Sequence, residues 1–149
     1  MLEKEVQMED RIEVGEYVRT KDGRIAQIKS IDYEAGIYRF DRIIYINDFR
    51  MKEDVLYSNE MFKKVIVKHR KQPIDLVEVG DYVNESKVLA VMEDMETGEL
   101  HLEMTSNYTN EEIGDCTIYD KDIQTILTKE QMMANCYKVG GEDEQNYKI

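Results

Sequence analysis

Glu93, Asp94, Glu96, Glu99 and Glu103, followed by Glu111, Glu112, Asp115, Asp120 and Asp122, hold ten of the 17 acids of residues 76–149. Carboxylates in such number can transfer protons, ligate a cation or display negative charge. Proton transfer needs an apolar cleft that splits the pKa values of a pair, and no such cleft is written around these residues. Cation ligation fails on spacing: Asp120-Lys121-Asp122 lacks the glycine and the twelfth-position glutamate of a calcium loop. The two histidines, His69 and His101, have no cysteine at a zinc spacing. Display of charge is what remains. On a strand, Glu99, His101 and Glu103 would face one way at steps of ~6.8 Å, two residues of ~3.4 Å rise, as a regular row of charge.

The opposite sign is concentrated in Lys63-Lys64-Val65-Ile66-Val67-Lys68-His69-Arg70-Lys71. Read as one strand, this run would place Lys64, Ile66 and Lys68 on a common face, where Lys63, Lys64, Lys68, Arg70 and Lys71 could meet a phosphate backbone. Lysines also protect an edge strand against pairing with another sheet. No glycine-rich phosphate loop, nucleophile elbow or Ser–His or Cys–His arrangement is present in the sequence. A non-enzyme without metal or cofactor is therefore expected, although a pocket for a small molecule would not be visible at this level.

The net charge of −12 is unevenly shared. Residues 1–75 carry 15 acids and 15 bases, and residues 76–149 carry 17 acids and 5 bases. The whole imbalance sits in the second half, beyond the magnitude of ~2 to 8 that solubility asks of a small domain. Such a field repels nucleic acid and anionic membranes and attracts basic surfaces. The charged N-terminus carries no secretory signal and Cys116 and Cys136 stand 20 apart, so a cytoplasmic protein with reduced thiols is expected. No apolar run approaches the ~20 residues of a membrane span.

The elements that must position these groups follow from an internal repeat. Val14-Gly15-Glu16-Tyr17-Val18 returns as Val79-Gly80-Asp81-Tyr82-Val83, and Glu13 as Glu78. Further on, Ile25-Ala26-Gln27-Ile28 is matched to Val88-Leu89-Ala90-Val91, Tyr57 to Met61 to the stretch from Tyr119 to Ile123, and Val65 to Lys68 to the stretch from Ile126 to Lys129. A period of this length with two copies favours tandem domains over a solenoid.

Strands are expected near 16–20, 24–31, 37–46, 55–57 and 62–68, and again near 81–84, 87–92, 99–105, 116–119 and 123–127. Asp22-Gly23 should form a two-residue primed turn. Thr128-Lys129-Glu130-Gln131 resembles a capping box and opens a short helix. Tyr137-Lys138-Val139 could add a last strand. The expected division is 1–71 for the first module, 72–76 for a linker at the sole proline, 77–139 for the acidic second module, and 140–149 for a disordered tail.

Each module resembles the Src-homology-3-like small antiparallel β-barrels, so the fold class expected is mainly β, with tandem barrels and one short helix. The passages Ile12 to Gly23, Ile74 to Asn84 and Asp122 to Gln131 resemble a family of small, largely uncharacterised proteins encoded in phages and prophages of Firmicutes. That resemblance implies a phage context and assigns no residue a role. Anti-CRISPR proteins offer an analogy in charge and size. The function expected is binding and inhibition of a basic host protein, such as a nucleic-acid-guided nuclease, through the acidic surface. The alternative is a nucleic-acid-binding or assembly module using the basic 63–71 run.

Overall fold

A computed structural model describes residues 11–105, 116–137 and 139. The chain is mainly β. Its elements in order are β1 (Tyr17–Thr20), β2 (Ile25–Asp32), β3 (Ile37–Phe40), β4 (Tyr45–Ile46), β5 (Lys52–Glu53), β6 (Val55–Leu56), helix α1 (Asn59–Val65), and β7 (Ile66–Arg70). After a 3-10 turn over Pro73–Leu76 come β8 (Tyr82–Val83), β9 (Ser86–Glu93), β10 (Leu100–Met104) and β11 (Cys116–Tyr119), then a 3-10 turn over Asp120–Asp122, β12 (Ile126–Leu127) and helix α2 (Lys129–Asn135).

The repeat becomes two antiparallel five-stranded sheets, ordered β6-β3-β2-β1-β7 and β11-β10-β9-β8-β12. The same succession of neighbours is thus built twice. Each copy starts on a tight turn that requires its glycine. Glu16 N–H donates to Glu13 O and Asp81 N–H to Glu78 O, and the third residue of each turn is a glycine at φ 98° (Gly15) or 99° (Gly80). The carboxylate that follows reaches back: Glu13 N–H donates to Glu16 Oε2 and Glu78 N–H to Asp81 Oδ2. Inward side chains then form one core around Val18, Ile28, Phe40 and Leu56, and a smaller one around Val83, Val88, Leu102 and Met104.

Several sequence expectations change in detail. The β1–β2 loop is not a two-residue primed turn: Thr20 N–H bonds to Arg24 O, and Gly23, at φ 88°, closes a three-residue loop. The tighter turn is in the second copy, where Val83 pairs with Ser86 across Asn84 (φ 51°) and Glu85 (φ 73°). The second hairpin is therefore shorter than the repeat suggested. Val88, not Val91, matches Ile28, since Ile28 N–H bonds Glu16 O just as Val88 N–H bonds Asp81 O.

The expected strand at 37–46 is interrupted. It breaks at Asp41, whose carboxylate accepts Gln27 N–H, and resumes as the separate β4–β5 hairpin. The expected strand at 62–68 is helical as far as Val65. Ser58 caps that helix by accepting Met61 N–H, Glu60 lies in the first turn, and Lys63 and Lys64 lie in the last, each complementing the helix dipole. The β-branched run Val65-Ile66-Val67 hid these local helix signals. The stretch expected as a linker, 72–76, holds the 3-10 turn Pro73–Leu76 with Ile74 and Leu76 buried, so it is packed into the fold. Tyr137 and Val139 are exposed and outside any strand, while Lys138 and the tail at 140–149 lie outside the described residues. Among the described residues, no helix is long and apolar enough to cross a membrane.

Candidate functional site

The acidic run falls on the β9–β10 hairpin, and its turn is built by one of its own carboxylates. Asp94 Oδ1 accepts the N–H groups of Glu96 (2.8 Å) and Thr97 (3.0 Å), Glu99 N–H donates to Thr97 Oγ1, and Gly98 takes φ 76°. The backbone bonds from Thr97 and Glu96 hold the Asp94 carboxyl below its ordinary pKa. With the turn fixed this way, Glu93, Glu96 and Glu99 project into solvent, and their side chains bond to no described residue. Met95 stands 98% exposed between them. A pliable thioether among carboxylates suits a contact surface.

Leu102 and Met104 turn into the core, leaving His101 and Glu103 on the outer face of β10. His101 Nε2 lies 3.2 Å from Glu103 Oε2 and its ring packs against Tyr119 at 5.6 Å. Thr117 Oγ1 is 3.5 Å from the same Glu103 oxygen. The Glu103 charge is therefore turned toward its neighbours more than that of Glu99.

Asp120 and Asp122 do structural work. Asp120 Oδ1 accepts Ile74 N–H at 3.0 Å, tying the 3-10 turn of the linker stretch to the second module. Asp122 Oδ2 accepts Tyr119 N–H at 3.1 Å. Glu111, Glu112 and Asp115 lie outside the described residues.

The basic run is divided between two elements. Lys63 and Lys64 sit on α1, and Lys68 and Arg70 on β7. Lys68 pairs with Glu78 at 3.3 Å, Lys71 lies 3.8 Å from Glu13, and Arg70 donates to the His69 carbonyl. His69 Nδ1 meets Glu16 Oε1 at 2.6 Å. Much of this positive charge faces carboxylates of the chain itself.

One constellation escaped the sequence reading. Arg19 on β1, 1% exposed, reaches into the second module and uses both terminal nitrogens twice. Nη1 donates to Leu76 O (2.9 Å) and Asp81 Oδ2 (2.6 Å), and Nη2 to Asp81 Oδ1 (3.0 Å) and Glu130 Oε1 (2.6 Å). Burial opposes the Arg19 charge, but the hydrogen bonds and field of Asp81, with Glu130 and Glu78, outweigh it and raise its pKa. Asp81 also accepts Lys129 N–H at 2.9 Å, seating the start of α2 on the clasp. The expected capping box is half present: Thr128 accepts Gln131 N–H, yet Gln131 donates its amide to Asp22 O of the first module. Thr128 Oγ1 meanwhile donates to Gly23 O. The only signal in the sequence was a mismatch, since Arg19 aligns with Asn84 and the repeat gives it no charged counterpart.

Compared with known proteins, the chain matches no family model, no curated protein and no solved structure.

Proposed function

We propose that this chain is a non-enzymatic binding protein that presents the β9–β10 hairpin of its acidic module to a basic protein surface of the kind that otherwise holds nucleic acid. One observation carries this reading: Glu93, Glu96 and Glu99 are exposed and unpaired with described residues on a turn locked by Asp94. Lys68 and Lys71, by contrast, face Glu78 and Glu13. A preorganised acidic loop spends little entropy on binding, and its field speeds encounter with a basic partner.

The phage resemblance makes a host defence enzyme the natural target, inhibited in the cytoplasm in the manner of anti-CRISPR proteins. The repeated strand order, with a helical turn before the last strand, supports a pair of Src-homology-3-like barrels as the scaffold. Fold alone implies no activity.

The test is a pull-down from nuclease-treated host lysate with the wild-type chain and with Glu93→Lys/Glu96→Lys/Glu99→Lys. Asp94, Asp120 and Asp122 are left intact because each accepts a backbone N–H. Retention of one basic nucleic-acid-binding protein by the wild type, its release at 1 M salt where the screening length is about 3 Å, and its loss with the triple variant are expected. Equal capture by both chains would remove the acidic hairpin from the interface. Binding that needs nucleic acid in the lysate, and that is lost in Lys63→Ala/Lys64→Ala, would instead favour a nucleic-acid-binding module.

A further inference from the structure

A cleft of about 600 Å3 opens between the modules, with Ile25, Arg42 and Ile43 on one wall and Gln124, Ile126 and Leu127 on the other. It is continuous with the module interface, because Gly23, Thr128 and Gln131 line it and also carry the bonds that cross from one module to the other.

Its walls expose main chain as well as side chains. An antiparallel ladder alternates residue pairs that exchange both hydrogen bonds with pairs that exchange none. In β1–β2, Thr20 N–H bonds Arg24 O and Ile28 N–H bonds Glu16 O, so the intervening Arg19–Ile25 pair is unbonded. The N–H and C=O of Ile25 therefore point away from β1. Gln27, of the same parity, exchanges its outward groups with Asp41. Ile25 lies past the end of β3 and finds no described partner.

The second module repeats the situation at its edge. Asn84 N–H bonds Thr125 O, which makes Val83–Ile126 an unbonded pair of the β8–β12 ladder. The N–H and C=O of Ile126 point away from β8, and β12 is the last strand of its sheet. Two facing walls thus each hold a main-chain donor and acceptor without a described partner, flanked by apolar side chains. An extended polypeptide has the matching pattern, since successive residues direct their N–H and C=O to opposite sides.

Charge narrows the occupant. In a chain of net charge −12, the cleft is lined by two arginines, Arg24 and Arg42, against one carboxylate, Asp41. Arg24 Nε bonds Asp22 Oδ2 at 3.0 Å, while Arg42 is two-thirds exposed with its Nε at the longer distance of 3.6 Å from Asp41, so Arg42 is the more available of the two cations.

We infer that this cleft is a strand-acceptor site, which takes an extended segment of a partner protein carrying acidic side chains beside alternating apolar ones. The segment hydrogen-bonds through its main chain to Ile126 on one wall and Ile25 on the other. Its apolar side chains fill the space beside Ile43 and Leu127, and its acids meet Arg42 and Arg24. This site is independent of the acidic hairpin, and either can fail without the other.

The probe is a displayed library of random short peptides selected against the full chain, with the affinities of enriched peptides then measured by fluorescence titration. Peptides with acids beside alternating apolar residues should enrich. Ile126→Pro removes the outward N–H without breaking a β8 bond, and it should weaken binding at least tenfold, whereas Ile126→Ala, which keeps the N–H, should cost only a few-fold. N-methylation of successive peptide amides should abolish binding to the wild-type chain at two positions of opposite parity, one facing Ile126 and one facing Ile25, and be tolerated elsewhere, a readout that leaves the fold untouched. Failure of any peptide to enrich, or binding indifferent both to Ile126→Pro and to N-methylation, would overturn the assignment. So would a concentration-dependent dimer dissolved by Ile126→Pro, which would give this edge to a second copy of the chain.

Discussion

Asp81 occupies in the second module the place that Glu16 holds in the first, yet its carboxylate grips Arg19 of the other module in a two-bond fork of 2.6 and 3.0 Å. Both acids accept the N–H of the residue three before them. The divergence lies in the second partner: Glu16 keeps its own module's His69, and Asp81 takes Arg19.

The two partners of Arg19 should differ in weight because their burial differs. Asp81 is fully buried, so Arg19→Met leaves an uncompensated charge and should cost ~3–5 kcal/mol in urea denaturation. Glu130 is 35% exposed, so Glu130→Gln should cost at most about 1 kcal/mol. Equal losses would show that the clasp does not depend on the desolvated pair.

Thr128 holds a helix start and a module contact with one hydroxyl. Thr128→Ala should destabilise the chain by ~0.5–2 kcal/mol, the range for losing an N-cap side chain. Thr128→Ser, which keeps the acceptor for Gln131 N–H and the donor to Gly23 O, should recover most of it. Thermal melts of the three chains decide the matter.

Glu85 sits at φ 73° in the β8–β9 turn, a left-handed conformation that costs a side chain ~1–2 kcal/mol. Glu85→Gly should therefore raise stability by roughly 0.5–1 kcal/mol, after allowing for the extra freedom glycine gains when unfolded. A lower denaturation midpoint would mean that the Glu85 side chain makes a compensating contact.

Glu78 ties pH to stability. The hydrogen bond from Lys129 lowers its pKa below 4.5, and Arg19 and Lys68 add to this against the effect of burial. The folded chain then binds fewer protons at Glu78 than the unfolded one, so this stabilisation is complete above 4.5 and drains as pH falls through the folded value. Lys129 mirrors it: raised above 10.5 chiefly by its bond to Glu78, it contributes fully below 10.5 and loses its share as pH rises through the folded value. Asp75, raised by burial, acts the opposite way in acid. Urea midpoints measured against pH for wild type and Glu78→Gln isolate the Glu78 part. The variant should be less stable at neutral pH and show a shallower decline in acid.

Local chemistry made much of the fold legible from sequence. Val-Gly-acid-Tyr-Val, written twice, announced two equivalent strand starts, because only glycine takes φ near 98° so readily at that turn. Thr128 and Gln131 marked the start of α2 by their spacing. Where two local signals competed, the reading failed: Ser58, Glu60 and the lysines at 63 and 64 wrote a helix across residues whose β-branched neighbours wrote a strand.

What the acids and bases do was settled only by tertiary contacts. Asp120 became a backbone cap for Ile74, Lys68 a partner of Glu78, and Arg19 a clasp to Asp81, 62 residues away. Periodicity reports which side of an element a residue faces, and composition reports how much charge there is. Neither says which opposite charge lies close once two sheets pack together, and that closeness separates a carboxylate holding the fold from one, such as Glu96, that is exposed and bonds to no described residue.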